Sequence, residues 1–380
     1  MKIDVLVLGG HVQALGIIRI LGKNGLNAAV LDESRLNLSS FSIYCKEFIK
    51  CKNENLLNTL IDLKKNKRFQ KCVIFPTNDF HVSILSQNKS LLEPVFICAV
   101  ENWNVVKNFH FKNNAYNLVS KLKIPISKTF QINNLDELKK INIKYPCIIK
   151  PNVMHTFFKE EKKKVIKCLD QSELIKSFNS LLSKYKITDL LVQEIIEGNN
   201  NNQFSVGVFS IKGEIISSIT ACRARQHPID FGNATSFAIT TEEPILLNYA
   251  RNIIQKVNYT GICEIEFKKD SNDGYFYFLE VNTRSWKWHS LCEAANIKLI
   301  ENYTNYLRKN SINITVIPQK KAYFVHFTTD LPTKIKMRFK GLSILKPDKT
   351  YLKQHAVWCN KDWKPWFVEK LLIPYFIFSR

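Results

Sequence analysis

The chain has 380 residues, 45% of them hydrophobic, with only 12 glycines and 12 prolines and a formal net charge of +22 at pH 7. That content supports a sizeable core in roughly two or three domains and excludes a disordered or low-complexity chain. The ten cysteines form no C-x-x-C pair, so a structural zinc site is not expected, and a reduced, cytoplasmic location is. No apolar run approaches the ~20 residues of a transmembrane helix, and Met1-Lys2 leads into a strand rather than a signal peptide. No RNA- or DNA-binding signature accompanies the basicity and the lysines are spread along the chain, so anionic small molecules are the expected partners and specific nucleic acid is not.

Ile3 to Leu8 is a continuous apolar run, as in a buried parallel strand. Gly9-Gly10 ends it, a helix is predicted from about Val12 to Asn24, and Ala28 to Leu31 is the next strand, ending in Asp32. Such a βαβ opening places its loops where nucleotides bind. An NAD(P)-dependent enzyme is therefore one reading, with Asp32 as a ribose ligand or a plain strand end. The turn Gly9 to Gly16 does not spell G-x-G-x-x-G, however. Helices near 54–66 and 80–87 and strands near 72–75 and 95–100 continue the pattern, so residues 1–105 are expected to form a doubly wound α/β domain. Asp79, in Pro76-Thr77-Asn78-Asp79, either faces a substrate or caps the next helix.

A helix predicted from Asn108 to Leu122 carries Lys112, and another begins at Asp136. Tyr145 to Pro151 is an apolar strand carrying Lys150 near its end, and an ammonium there needs an anion or water. Asn152 to Lys164 is polar and basic, with no glycine between 151 and 197. Leu190 to Gly198 starts as an apolar strand and turns polar through Gln193, Glu194, Ile195, Ile196 and Glu197. A hairpin of Phe204 to Ser210 and Glu214 to Thr220 leads to Arg223 and Arg225, whose i, i+2 spacing on an extended segment predicts a shared side, either reading an anion or as plain surface charge.

Cys263 to Phe267 and Tyr275 to Val281 read as strands joined by Ser271-Asn272-Asp273-Gly274, a strong hairpin signal. That pairing lets Glu266 approach Glu280, with Asn282 two residues on; three such oxygens suit a hard cation such as Mg²⁺. Arg284 adds a planar fork for phosphate or carboxylate. A solvated acidic edge is the plainer reading of the same hairpin. The tail, 311–380, carries an Asp330-Leu331-Pro332 turn and an aromatic run including Trp358, Trp363, Trp366, Phe367, Tyr375 and Phe376. It is expected to pack on the protein's own core, with docking at a membrane surface as the alternative.

The order Glu266, hairpin, Glu280-x-Asn282-x-Arg284 resembles the metal-binding end of the ATP-grasp ligases, and Lys112 in F-K-N-N-A, Lys150 in P-C-I-I-K-P and Glu194 to Ile196 fall in that family's order over residues 1–308. The leader V-L-V-L-G-G, P-T-N-D and the tail's N-K-D-W-K-P-W look most like its bacterial carboxylate–amine ligase branch, which includes D-aspartate ligases. The resemblance implies an ATP-grasp fold, an α/β class with α+β lobes at 106–190 and 191–310 behind the leader and an appendage at 311–380. It implies phosphate binding by Lys112 and Lys150, a hinge at Gln193 to Ile196 that reads adenine, ribose binding by Glu197 or an Asn among 199–202, and Mg²⁺ (or Mn²⁺) on Glu266, Glu280 and Asn282. Met154-His155-Thr156 or the lysines at 162–164 would cover the phosphates, and Arg284 with Arg225 would hold the carboxylate or the transferred phosphoryl group. The implied activity is amide formation from a small-molecule carboxylate and an amine, amino-acid or peptide-like, through an acyl phosphate, with a dimer among the assemblies open to it. A non-catalytic ATP-binding protein is the further alternative.

Overall fold

The structure, a computed structural model, describes residues 1–153, 157, 160, 161, 163–229, 231, 232, 234–309, 312 and 318–373. Its first sheet grows from the run that opens the chain: β1 (Val5–Leu8), β2 (Ala28–Asp32), β3 (Cys45–Lys50), β4 (Val73–Pro76) and β5 (Ile97–Cys98), in the order β3-β2-β1-β4-β5. Its pairs are all parallel, and β1 is buried throughout because helices cover both faces of such a sheet. Edge strand β3, C-K-E-F-I-K, has no apolar run to announce it, since only one neighbour and part of one face need apolar cover.

The predicted helix over 108–122 is two helices, Trp103–His110 and Lys112–Lys121, separated at Phe111, whose backbone is extended (φ −95°, ψ 119°). The break puts Lys112 on the first turn of the second helix. A four-stranded antiparallel sheet follows: β6 (Thr129–Gln131), β7 (Cys147–Pro151), β8 (Ile166–Cys168) and β9 (Leu190–Glu194), ordered β6-β9-β7-β8.

The largest sheet holds β10 (Gln203–Ile211), β11 (Glu214–His227), β12 (Ala234–Thr240), β13 (Gly261–Lys269), β14 (Phe276–Asn282), β15 (Ala322–Val325) and β16 (Leu352–His355), in the order β14-β13-β10-β11-β12-β15-β16. Because β15 pairs with β12 and β16 with β15, the C-terminal segment is part of this sheet rather than an appendage. The turn expected at Asp330-Leu331-Pro332 lies inside helix Phe327–Phe339. Asp330 turns inward there to accept hydrogen bonds from Arg225 and Ser236, and this tertiary anchor overrides the local turn signal. Tyr375 and Phe376 fall outside the described residues. Among the described residues no helix is long and apolar enough to cross a membrane, and the cysteines are free thiols, most of them buried.

Behind β14, Trp286 and Trp288 pack edge to face at 5.3 Å and are almost fully buried. His289 lies beside them, its Nδ1 2.6 Å from the Trp286 carbonyl oxygen. Burial pushes its pKa down from 6.5 to about 4. Between those values the unfolded chain binds a proton that the folded chain does not, so stability is full above the unfolded pKa and lost as pH falls through the window. Urea unfolding is expected to show a loss on the order of 3 kcal/mol between pH 7 and pH 4 from this group. His289→Gln should remove that component; an unchanged slope in the variant would assign it elsewhere.

Candidate active site

The hairpin of β13 and β14 sets Glu266 directly opposite Glu280 and Glu264 opposite Asn282. Cys263, Ile265 and Phe267 fill the core on one face, so alternation sends the acidic residues to the other. Asn282 Nδ2 donates to Glu266 Oε1 at 2.9 Å and to Glu264 Oε2 at 3.2 Å, and Trp288 Nε1 donates to Glu264 Oε1 at 2.8 Å. Burial, then the charge of Glu266, pushes Glu264 up to about 7. Cations balance the remaining carboxylates: Arg223 forms an ion pair with Glu266, and Lys112 donates to Glu280 at 2.8 Å. Burial opposes ionisation of Glu280, but Lys112 and other lysines nearby hold it well below the usual carboxylate range.

Lys150, almost fully buried on β7, points into the same cleft. Its ammonium donates to the Tyr116 hydroxyl and to Gln193 Oε1 (2.6 Å) and lies 4.5 Å from the Tyr116 ring centroid. Both acceptors are neutral, and burial, reinforced by Lys112, pushes its pKa well below the ordinary lysine value. Burial against neutral oxygens disfavours the charged form until an anion arrives beside it, which makes the side chain a strong site for one.

The cleft encloses about 500 Å³ and also takes in Gln193, Glu194, Ile195, Ile196 and Glu197. Gln193 serves Lys150 on one side and donates to Thr129 Oγ1 at 2.6 Å on the other. The Glu194 carboxylate accepts from the Lys144 amide at 3.1 Å, and its carbonyl from Ser127 Oγ at 2.7 Å. The Ile196 carbonyl accepts from Lys268 Nζ at 2.7 Å, and the Glu197 amide donates to Asp270 at 3.0 Å. The segment is thus braced by Ser127 and Lys144 on one side and by Lys268 and Asp270 on the other.

Arg225 departs from its expected role. Its guanidinium donates to both carboxylate oxygens of Asp330 (2.6 and 3.2 Å) and to the Leu345 carbonyl (2.8 Å), and it lies 3.7 Å from the Phe237 ring centroid. Irregular pairing of β11 with β12 on either side of Arg225 breaks the simple alternation that would have put it beside Arg223. Arg223 and Gln226 line the cleft instead.

Arg284 lines a second cavity of about 350 Å³ that shares Lys112, Lys164 and Glu280 with the first. It donates to both oxygens of Asp79 (2.7 and 3.3 Å) and to Asn282 Oδ1 (3.1 Å). Asp79 starts the helix that follows β4 of the first sheet. Asn78, not Asp79, caps its helix by accepting from the His81 amide, so the Asp79 carboxylate is left for Arg284 and the cavity. Burial would raise its pKa, but Arg284 more than offsets this and holds it below the ordinary value. The Asp79 side chain is still 41% exposed, against 16% for Arg284.

The sequence reading missed Tyr116 and Glu264 as site residues. Tyr116 sits one helical turn after Lys112, a spacing that was available; Glu264 is two residues before Glu266 on the same strand face. Of the residues expected to cover the phosphates, Met154, His155, Thr156 and Lys162 lie outside the described residues, while Lys164 lines both cavities. Among the described residues no cluster of three His, Cys, Asp or Glu is arranged for a metal. Two opposed carboxylates plus an amide nevertheless form a hard-oxygen set that fits Mg²⁺, and Lys112 and Arg223 pair with the two carboxylates. Near β1, the space over Gly9 and Gly10 is taken by Thr77 and Asn37, so those glycines accommodate the protein's own side chains.

The sequence profile of the carbamoyl-phosphate synthase L chain, ATP binding domain, matches residues 112–302. The chain is 22% identical over 255 residues to a D-aspartate ligase of Enterococcus faecium (strain Aus0004), a match spanning 61% of this chain and 58% of that ligase. The fold is similar to that of a biotin carboxylase from Campylobacter jejuni in complex with β-γ-ATP, with TM-score 0.67, 15% identity and coverage of 85% of this chain and 74% of that one. It is also similar to an L-amino acid ligase from Bacillus licheniformis, with TM-score 0.64, 13% identity and coverage of 85% and 79%.

Proposed function

Since the chain belongs to the ATP-grasp family, with the ATP-binding domain of the carbamoyl-phosphate synthase L chain, we propose that it is an ATP-dependent carboxylate–amine ligase. One observation carries the reading most directly: the buried ammonium of Lys150, held by neutral acceptors, shares a cleft with the opposed pair Glu266 and Glu280. Cation-binding oxygens and a phosphate-seeking lysine on one wall are what a metal–nucleotide complex requires. When bound, Mg²⁺ and ATP would supply a γ-phosphoryl group to a substrate carboxylate, releasing ADP, and an amine would displace inorganic phosphate from the acyl phosphate to leave the amide.

The chain's own residues have distinct parts. Glu266, Glu280 and Asn282 would hold the ion, Mg²⁺ or by the same hard-oxygen logic Mn²⁺. Lys112 and Arg223, which pair with Glu280 and Glu266, would give up those partners to the ion, and Lys112 would then be free to serve phosphate. Tyr116 and Gln193 orient Lys150 toward phosphate oxygens, and the segment from Gln193 to Glu197 lines the nucleotide cleft. Arg284 holds the substrate carboxylate in the second cavity. Its partner Asp79 gives that cavity a cation and an anion side by side, so an amino acid can exchange into the ion pair, carboxylate to Arg284 and ammonium to Asp79, with no net charge buried. The similarity to a D-aspartate ligase supports an amino acid as the acid.

Lys150→Ala is expected to weaken ATP binding by roughly 10- to 150-fold, the value of a charge-assisted contact, and adenosine binding little. Calorimetry showing equal losses for both ligands would remove Lys150 from the phosphate site. The function itself is tested by screening amino acids and small peptides for ADP release. Release should require both a carboxylate and an amine; ATP binding without acid-dependent release would favour a non-catalytic ATP-binding protein, and NAD(P)H binding in place of ATP an oxidoreductase.

A further inference from the structure

Helix Phe327–Phe339 buries Asp330, Thr333 and Met337 and turns Phe327, Leu331, Ile335 and Phe339 outward, each at least 46% exposed and Phe339 88%. Helix Lys364–Leu371 repeats the pattern, with Trp363, Phe367 and Leu371 exposed at the same four-residue spacing. The two helices touch: Lys370 Nζ donates to Thr328 Oγ1 at 3.1 Å and lies 5.0 Å from the Phe327 ring centroid. Single exposed apolar side chains are ordinary, but two touching helices that both present an apolar stripe form a patch of the kind that binds something.

The charge around the patch says what. Lys336, Arg338, Lys340, Lys361 and Lys364 are exposed. Among the acids of residues 327–373, Asp330, Asp362 and Glu369 are buried and engaged by Arg225, Arg19 and His326, which leaves Asp348 as the exposed one. Apolar stripes bordered by long cationic side chains match an anionic bilayer surface, where aromatic and aliphatic groups enter the acyl boundary while lysines and arginines reach the headgroups. A second copy of the chain would set these basic borders against each other.

We propose that the face formed by helices Phe327–Phe339 and Lys364–Leu371 docks on the surface of anionic phospholipid membranes. The proposal is independent of the ligase reading, because none of these residues lines either cavity. Vesicle co-sedimentation of the 380-residue chain tests it, with phosphatidylcholine alone against phosphatidylcholine containing phosphatidylglycerol. The bound fraction should rise at least about 10-fold with the anionic lipid and fall in high salt. The triple variant Leu331→Ser, Ile335→Ser, Phe339→Ser should lose about 10-fold in partition while keeping ATP affinity, since these side chains are already exposed. Lys336→Gln with Arg338→Gln and Lys340→Gln should erase the lipid preference. Three results would overturn the proposal: no sedimentation with either vesicle, sedimentation unaffected by the triple variant, or a solution dimer that the triple variant dissociates in place of any lipid effect.

Discussion

Glu280→Gln is expected to abolish Mg²⁺-dependent turnover, by at least about 10²–10³-fold, on the several kcal/mol that a bound ion supplies to phosphoryl transfer. The isosteric amide keeps the hairpin register in which Glu280 faces Glu266, so the fold should persist. What disappears is the charge, which Lys112 and its neighbours hold ionised. Lys112 then keeps its ammonium in a site with one carboxylate fewer, and the ion meets a single carboxylate, Glu266, with Asn282. Adenosine should bind as before, because the segment from Gln193 to Glu197 is braced by Ser127, Lys268 and Asp270 rather than by Glu280. If Glu280 were merely the ion-pair partner of Lys112, the variant would lose stability yet keep the wild-type dependence of rate on Mg²⁺ concentration. A metal titration of the steady-state rate separates the two outcomes.

Arg284→Lys is expected to lower kcat by about 10²-fold, the scale of one lost electrostatic donor, and to leave the Kd for ATP nearly unchanged. The guanidinium bonds Asp79 through two nitrogens and reaches Asn282 Oδ1 at 3.1 Å, which sets its fork at the metal end of the cavity. Lysine keeps the charge but cannot hold two oxygens in one plane. The partner variant Asp79→Asn should act differently. It keeps a polar group at the start of helix Asp79–Gln87 but removes the anion that would receive a substrate ammonium. The KM for an amino acid should rise roughly 10-fold or more, while its desamino analogue is little affected. A purely structural ion pair predicts another pattern, in which both variants melt earlier and the folded enzyme keeps its kcat and KM.

The parts of the molecule visible in the sequence are those fixed by local rules. β1 is an unbroken apolar run, β7 is an apolar strand with Lys150 near its end, and the Asp273-Gly274 turn announces the hairpin that sets Glu266 against Glu280. The hidden parts depend on distant contacts. Lys112 finds Glu280 across 168 residues of chain, so this partner has no local signature. Arg223 and Arg225 look equivalent in an alternating pattern, yet irregular pairing along β11 sends one to the cleft and the other to Asp330. The break at Phe111 interrupts residues that are each compatible with a helix, and its partner is distant: the Lys112 and Asn113 amides donate to the Asn152 carbonyl and Oδ1, each at 3.1 Å. The tail's place in the largest sheet was hidden for the same reason, since β15 and β16 pair in parallel and need a long crossover to meet.

The most direct test of the ligase reading follows the oxygen atoms. With an acid substrate labelled with ¹⁸O in its reacting carboxylate, an acyl phosphate route delivers one labelled oxygen to inorganic phosphate for every amide formed, because the amine expels the phosphate together with the oxygen that the carboxylate contributed. Mass spectrometry of the phosphate released in one complete turnover is expected to show that single transferred label. Unlabelled phosphate alongside normal amide formation would contradict carboxylate activation by phosphoryl transfer and, with it, the roles given to Lys150, Glu280 and Arg284.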